Sequence, residues 1–212
     1  MEKQIKAIIF DAGRVLIDWD NTPFFEGIMK FSPYSDKKIK NKLINSGIFE
    51  KYHNGEISTR DFYERSIKEI NATDLEFEKF CELWDAILTT SNDDIEKIIS
   101  LIKPNIKLML LSDTTELHWE VMQETEIIKR FFSDINNIIL SFRVGCCKPD
   151  RKIYLEAVNK SNYLIEECLF IDDVKENVDE FINMGGNGIG YNLRINAIED
   201  LRNDLARYDV FK

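Results

Sequence analysis

The segment Ile8-Ile9-Phe10-Asp11-Ala12-Gly13-Arg14-Val15-Leu16 decides how the rest of the chain is interpreted. Its apolar run ends in one aspartate and breaks at a glycine, as expected where a strand buried on both faces opens into a loop. Ligands in open α/β sheets bind at the carboxyl ends of strands. Asp11 is therefore a candidate functional residue, although a lone aspartate before a glycine more often only caps its own loop.

Three later segments supply complementary chemistry. They are an apolar run that ends in Ser112 and Asp113, a loop that contains Lys148, and an apolar run that ends in Asp172 and Asp173. In chain order the four segments offer a carboxylate, a hydroxyl, a lysine and a pair of carboxylates. Each segment alone is a weak signal, but their order and their strand contexts together make a strong one.

On these four segments the chain resembles the haloacid dehalogenase (HAD) superfamily of hydrolases. More narrowly, it is similar to the branch that has a small helical cap inserted after the first motif and that includes sugar-1-phosphate phosphatases. The resemblance covers essentially the whole chain. It implies Mg²⁺-dependent hydrolysis of a small phosphorylated metabolite, such as a sugar phosphate, through an aspartyl-phosphate intermediate.

The pattern of the whole chain predicts an α/β fold with a doubly wound parallel, Rossmann-like sheet, because strands and helices alternate. From Pro23 to about Leu88 apolar residues recur at helical spacing and no convincing strand interrupts them, which predicts a small inserted helical bundle. We therefore predict an α/β core at 1–17 and 89–212, with a helical cap at 18–88. The strands expected in the core are 5–10, 106–111, 137–140, 168–171 and 189–191.

Asp11 is the predicted nucleophile, since a carboxylate can attack phosphorus and divide hydrolysis into formation and breakdown of an aspartyl-phosphate. Two anions must then approach each other, so a cation is needed between them. Asp172 can offer a second carboxylate to Mg²⁺, a cation that prefers oxygen ligands. The resemblance adds the backbone carbonyl of Gly13 as a metal ligand, and it makes Asp173 either a ligand or a support for one. Asn177 either orients the aspartate pair or faces solvent.

The phosphoryl group is expected to meet two further residues. Ser112 and nearby backbone N–H groups would hold its oxygens at a strand end, and Lys148 would supply positive charge to it and offset Asp11. Arg14 either contacts the substrate or is a surface charge. His53 stands in a turn-like segment, His53-Asn54-Gly55-Glu56, and we interpret it as a surface turn residue rather than one facing the active site.

Gly13 departs from the resembled pattern. Phosphatases of this superfamily usually have a second aspartate there, which protonates the leaving oxygen, although similar sugar-1-phosphate phosphatases can also have glycine. The absence of this aspartate matters most for alkoxide leaving groups and less for a phenolate with a pKa near ~10. We therefore expect a preference for phosphates with better leaving groups. Asp113, where asparagine is common, is a substrate-binding residue, a substitute acid/base, a support for its neighbours or a sign of a damaged site. Asp18 and Asp20 are weaker candidates for the substitute acid/base.

Composition limits the alternatives. The formal charge is −10, which argues against nucleic acid or a membrane surface as a partner. Four cysteines, two of them adjacent, do not resemble a secreted disulfide framework. The short apolar run after Met1–Gln4 does not resemble a signal peptide, so we expect a cytoplasmic protein. We expect it to be a monomer or a homodimer.

Two other functions compete with the phosphatase. Dehalogenation also uses an attacking aspartate but needs no metal, so the Asp172-Asp173 pair argues against it. A catalytically impaired relative that binds a phosphorylated ligand or a partner is favoured by Gly13 and Asp113, and is opposed by the presence of Asp11 and Lys148.

Overall fold

Five parallel strands form the central sheet of the computed structural model, which describes residues 4–91 and 93–212. Met1–Lys3 and Asn92, which fall in segments predicted as core, lie outside the described residues. The strands are β1 (Ala7–Phe10), β4 (Lys107–Ser112), β5 (Ile138–Leu140), β6 (Cys168–Asp172) and β7 (Asn187–Gly190). Their order across the sheet is β5-β4-β1-β6-β7, so β1 lies at the centre.

Twelve α-helices are assigned within the described residues, and five of them, in residues 22–85, form a unit of their own that we call the helical unit. Its members are α1 (Thr22–Met29), α2 (Asp36–Asn45), α3 (Ile48–His53), α4 (Thr59–Glu69) and α5 (Phe77–Asp85). The helices beside the sheet are α6 (Asp93–Leu101), α7 (Glu116–Met122), α8 (Glu126–Phe131), α9 (Ser141–Val144), α10 (Arg151–Ser161), α11 (Lys175–Asn183) and α12 (Ile198–Ala206). Helices α7 and α8 are separate, because α7 ends at Met122 and α8 begins at Glu126.

Side chains of β1 alternate between two apolar layers, which is why this strand is apolar at every position. Ile8 and Phe10 pack in the layer that contains residues of α6, α7, α8 and α12. Ala7 and Ile9 pack in the opposite layer, with residues of α10 and α11. Helices therefore cover both faces of the sheet, and the predicted doubly wound α/β architecture is confirmed.

Strand register brings the polar residues after β1, β4 and β6 to one edge of the sheet. Phe10 is paired with Leu110 on one side and with Ile171 on the other. Asp11, which follows Phe10, thus lies between the ends of β4 and β6, and its backbone N–H donates to the carbonyl of Ile171 at 2.8 Å.

Aromatic side chains fill the interior of the helical unit. Trp84 is the centre of this cluster: its ring meets Phe24 edge-on at 5.0 Å and Phe62 at 4.8 Å between centroids. These residues belong to the helical-period sets seen in the sequence, and all three are buried. Burial of such large apolar rings is the main stabilising contribution to a small helical unit.

A short antiparallel ribbon joins the helical unit to the sheet, and the sequence did not predict it. It consists of β2 (Ile17–Trp19) and β3 (Leu88–Ser91). The expectation that helical structure continues to about Leu88 was wrong, because α5 ends at Asp85 and Leu88 begins β3. Strands of three and four residues are too short to show a period of their own, so only their pairing defines them.

The four cysteines are free thiols, as expected. Among the described residues, no helix combines the length and the apolar character needed to cross a membrane.

Candidate active site

Lys148 links the ends of two strands in the interior of the protein. Its ammonium Nζ lies 2.7 Å from Asp11 Oδ1 and 2.7 Å from Asp172 Oδ2, and all three side chains are buried. Asp11 follows β1, Asp172 ends β6, and Lys148 comes from the loop before α10, so residues 24 to 161 positions apart meet here. The predicted nucleophile, lysine and metal ligand are therefore in direct contact.

Opposing effects act on the pKa of these buried groups. Burial alone would lower the pKa of Lys148, but the carboxylates of Asp11, Asp172 and Asp113 outweigh it and raise that pKa above its ordinary value. Burial raises the pKa of the Asp11 carboxyl, the Lys148 ammonium opposes this, and Asp172 adds to it. Lys148 therefore stays protonated, and its charge favours the ionised form of Asp11 against the effect of burial.

Asp11, Asp172 and Asp173 form an acidic group whose ligand atoms lie within 4.8 Å of one another. Three carboxylates face one buried ammonium, so the site has an excess of negative charge that a cation would neutralise. The donors are all carboxylate oxygens, the ligands that Mg²⁺ prefers. The residues present therefore fit Mg²⁺.

The aspartate pair is held in place by its neighbours. Asp172 Oδ1 accepts from the side-chain amide of Asn177 at 3.0 Å and from the backbone N–H of Val174 at 2.8 Å. Asp173 Oδ2 accepts from the amide of Asn192 at 3.1 Å. Of the two roles open to Asn177, the orienting one is confirmed, while Asn192 was missed because it lies beyond β7 and carries no motif.

Asp113 accepts the backbone N–H of Lys148, at 3.0 Å to Oδ1 and 3.2 Å to Oδ2. This contact fixes the loop that delivers the ammonium. Burial raises the pKa of the Asp113 carboxyl, and the Lys148 charge opposes that shift. Asp113 also lines the cavity described below, so its substrate contact stays a prediction while its supporting contact is present.

One cavity of about 460 Å³ runs from this charged group into the helical unit. Asp11, Ser112 and Lys148 line one end, and Phe49 and Trp84 line the other. Its volume suits a small molecule. Ser112 is buried at the end of β4 and lines the same cavity as Asp11, while its contact with a phosphoryl group stays a prediction.

His53 was predicted as a surface turn residue, and that prediction was wrong. It is the last residue of α3, is partly buried and lines the cavity. Its Nδ1 lies 2.8 Å from the carbonyl oxygen of Phe49, and burial lowers the pKa of its imidazole. The turn-like sequence was correctly located, but which side of α3 faces the core follows only from helix packing.

Trp19 occupies the space beside Gly13. A Cβ built on Gly13 would lie 3.3 Å from Trp19 Nε1 and 3.4 Å from its Cδ1. The chain turns back here, since Arg14 N–H donates to the carbonyl of Ile17 at 2.8 Å, and this brings Trp19 next to a residue six positions earlier. The indole thus lies against the place where related phosphatases, according to the resemblance, have their second aspartate.

Arg14 lies over the indole ring of Trp19. Its guanidinium lies 4.3 Å from the centre of the indole ring and 3.1 Å from Asp18. Arg194 also binds Asp18 and donates to the carbonyl of Trp19 at 3.0 Å. Arg14 is not among the described residues that line the cavity. Its contact with a substrate therefore stays a prediction, whereas its contact with Trp19 is direct.

Comparison with known proteins gives a family match over most of the chain. The model described as "haloacid dehalogenase-like hydrolase" matches residues 5–185. A relative named D-ribitol-5-phosphate phosphatase, from Bacteroides thetaiotaomicron, is 24% identical over 179 residues, which are 82% of this chain and 85% of that protein.

Solved structures show the same fold. A predicted HAD-like family hydrolase from Porphyromonas gingivalis has a TM-score of 0.81 at 24% identity and covers 96% of this chain and 98% of its own. A HAD family enzyme from Bacteroides thetaiotaomicron, solved in complex with magnesium and inorganic phosphate, has a TM-score of 0.76 at 21% identity, covering 88% and 93%.

Proposed function

The chain belongs to the haloacid dehalogenase-like hydrolase family, and we propose that it is a Mg²⁺-dependent phosphomonoesterase acting on a small phosphorylated metabolite. One observation carries this proposal: the Lys148 ammonium lies 2.7 Å from the carboxylates of both Asp11 and Asp172 at the inner end of a cavity. That arrangement provides a nucleophile, a fixed cation and a place for a phosphoryl group in one buried space.

In the proposed reaction a carboxylate oxygen of Asp11 attacks phosphorus. The bond between phosphorus and the leaving oxygen breaks, and the products are an aspartyl-phosphate on Asp11 and an alkoxide or phenolate, which takes a proton from water. Water then attacks phosphorus, which releases inorganic phosphate and restores the carboxylate. Lys148 offsets negative charge throughout, and the Ser112 hydroxyl orients a phosphoryl oxygen.

Asp11, Asp172 and Asp173 would hold Mg²⁺, with the Gly13 carbonyl as a further ligand implied by the family. When bound, the ion supplies the positive charge that lets a phosphate dianion approach the Asp11 carboxylate.

The helical unit is proposed to act as a cap, corresponding to the predicted segment 18–88. It supplies the far end of the cavity, so it would select the leaving group and limit access of water. A sugar or polyol phosphate is the substrate expected from the resemblance, and the name of the relative, D-ribitol-5-phosphate phosphatase, supports including that class in any test. A cytoplasmic location and a monomeric or homodimeric state remain predictions from the sequence.

Phosphate release with and without Mg²⁺ tests this function. The panel contains an aryl phosphate, several sugar phosphates and ribitol 5-phosphate, and each is assayed with the wild type and with Asp11→Asn. We expect Mg²⁺-dependent release that falls by about 10³-fold or more in Asp11→Asn. The matched control is Asp74→Asn, which makes the same change at an exposed position of the helical unit and keeps full activity.

Two results would contradict the proposal. Activity that persists in Asp11→Asn would exclude Asp11 as the nucleophile. No release from any substrate, together with retained binding of inorganic phosphate, would favour the impaired, ligand-binding relative.

A further inference from the structure

We propose that the leaving group recognised at the far end of the cavity is apolar and aromatic, so that the substrate is an aryl phosphate and not a polyol or sugar phosphate. This inference rests on the phosphomonoesterase activity proposed above. Two independent features carry it: the chemistry available beside Gly13, and the side chains that line the cavity within the helical unit.

The first feature is the indole of Trp19. It lies where a side chain at position 13 would begin, with Nε1 3.3 Å from that point. An indole N–H donates a hydrogen bond but does not release its proton at neutral pH, so it cannot act as a general acid. A leaving oxygen that contacts Trp19 thus receives a hydrogen bond from the indole but no proton. A phenolate, with a pKa near ~10, tolerates this far better than an alkoxide.

The second feature is the apolar lining of the far end. Its walls are aromatic rings and aliphatic side chains: Phe24, Phe25, Phe49, Trp84, Ile87 and Met122. Phe49 lies nearly parallel to Trp84, with an interplanar angle of 15° and 5.8 Å between ring centroids. Trp84 is itself stacked against Phe49 and His118, so this wall offers a flat aromatic group apolar contact area and not an open ring face.

Several polar atoms near these rings are engaged with the protein. Trp84 Nε1 donates to the Thr115 hydroxyl at 3.3 Å. His118 Nε2 lies 2.9 Å from the carbonyl of Trp84, while His53 Nδ1 bonds the carbonyl of Phe49. Lys40, which also lines the cavity, is paired with Asp36 at 3.2 Å and lies over the Phe25 ring.

These contacts work against a polyhydroxylated leaving group. A polyol would lose its hydrogen bonds to water on entry, and the rings offer no equivalent partners for several hydroxyls. The imidazole of His118 does not add a charge at neutral pH, because burial lowers its pKa to about 4. The far end of the cavity therefore favours an uncharged, apolar group.

Binding of phosphonates that cannot be hydrolysed separates recognition of the leaving group from its reactivity. The wild-type protein with Mg²⁺ is titrated by calorimetry with inorganic phosphate, benzylphosphonate and a five-carbon polyhydroxyalkyl phosphonate. We expect benzylphosphonate to bind at least 10-fold more tightly than the polyhydroxyalkyl compound. Equal affinity, or tighter binding of the polyhydroxyalkyl compound, would overturn the inference.

A pair of variants locates the effect in the cavity. Phe49→Leu is expected to weaken benzylphosphonate binding about 3- to 10-fold and to leave inorganic phosphate unchanged. Phe77→Leu is the matched control, because Phe77 is a partly buried aromatic of the same unit that does not line the cavity. If Phe49→Leu weakens both ligands equally, the aromatic end does not contact the leaving group.

The two proposals fail in different ways. If phosphate is released with Mg²⁺ but the polyhydroxyalkyl phosphonate binds best, only the aryl assignment is wrong. If no phosphate is released from any substrate, the proposed function fails and the aryl assignment fails with it. Should Phe49→Leu not fold, the wild-type affinity ratio still decides the question.

Discussion

The two ends of the cavity are built by different kinds of structure. At the sheet, Asp11 and Asp172 are placed by strand register and by hydrogen bonds that converge from several loops. In the helical unit, Phe49 and Trp84 are placed by ring packing within a separate apolar cluster. The first end is charged and tightly bonded, whereas the second is apolar and depends on how helices pack.

This difference separates the reaction from the choice of substrate. A carboxylate at a strand end keeps its position while surrounding loops and helices change, because the sheet fixes it. The position of the rings relative to the sheet depends on contacts between the helical unit and the rest of the protein. In one of these contacts the Ser141 hydroxyl donates to the carbonyl of His53 at 2.7 Å. Changes at the charged end should affect the chemical step, and changes at the apolar end should affect selectivity.

The largest effect is expected from removing the buried ammonium. Lys148→Met leaves Asp11 and Asp172 adjacent without their cation, which should cost about 3–5 kcal/mol of stability in EDTA and lower kcat by about 10³-fold. Added Mg²⁺ should restore part of the stability, since it neutralises the same carboxylates. Thermal unfolding with EDTA and with Mg²⁺ measures this, with Lys152→Met as the exposed control. A variant as stable as wild type in EDTA would contradict the expectation.

The next effect concerns the acid/base position. Gly13→Asp alone should give little gain, because its Cβ would lie 3.3 Å from Trp19 Nε1 and the indole must shift before the new side chain fits. Gly13→Asp combined with Trp19→Leu should raise the turnover of alkyl phosphates about 10²-fold, the usual contribution of a general acid. Aryl phosphates should gain less. Trp19→Leu alone is the control. If Gly13→Asp turns over alkyl phosphates as fast as the double variant, Trp19 does not block the position.

A smaller effect is expected where the two ends meet. The Ser141 hydroxyl accepts from the backbone N–H of Thr114 at 3.0 Å and contacts the helical unit at His53. Ser141→Ala leaves a buried N–H without this partner and should cost about 1–3 kcal/mol, with a several-fold rise in KM and little change in kcat. Ser161→Ala, which removes a buried hydroxyl away from the helical unit, should lower stability without changing KM. A matching rise in KM for both variants would refute a specific linking role.

The smallest effect lies at the end of α5. Burial, with the nearby Glu120 charge, raises the pKa of Asp85 from 3.8 to about 6. Ionisation is thus less favourable in the folded protein, and stability is lost as the pH rises from about 4 to about 6. Because Asp85 is only partly buried, the loss is about 1 kcal/mol. Asp85→Asn should raise Tm at pH 7.5 but not at pH 4, whereas Asp74→Asn should change neither. A gain of equal size at both pH values would exclude this cause.

Several features of the fold and the charged end could be predicted because they are local. An apolar run that ends in aspartate marks a strand end, and the register of β1, β4 and β6 then brings Asp11, Ser112 and Asp172 together. The ribbon of β2 and β3 could not be predicted in this way, because neither strand is long enough to show a pattern. The orientation of His53 was missed for a related reason. It is the last residue of a helix, and the packing of that helix, not the local sequence, decides which way its side chain points.

By itself the sequence determined the α/β class, the inserted helices and the residues of the charged end, because strand ends and apolar periods are encoded over a few neighbouring positions. Only the tertiary structure decided that Trp19 fills the space beside Gly13 and that aromatic rings line the far end of the cavity. Those placements depend on a chain reversal after Gly13 and on contacts between helices distant in sequence. Such contacts are selected by the packing of the whole molecule, and no local pattern records them.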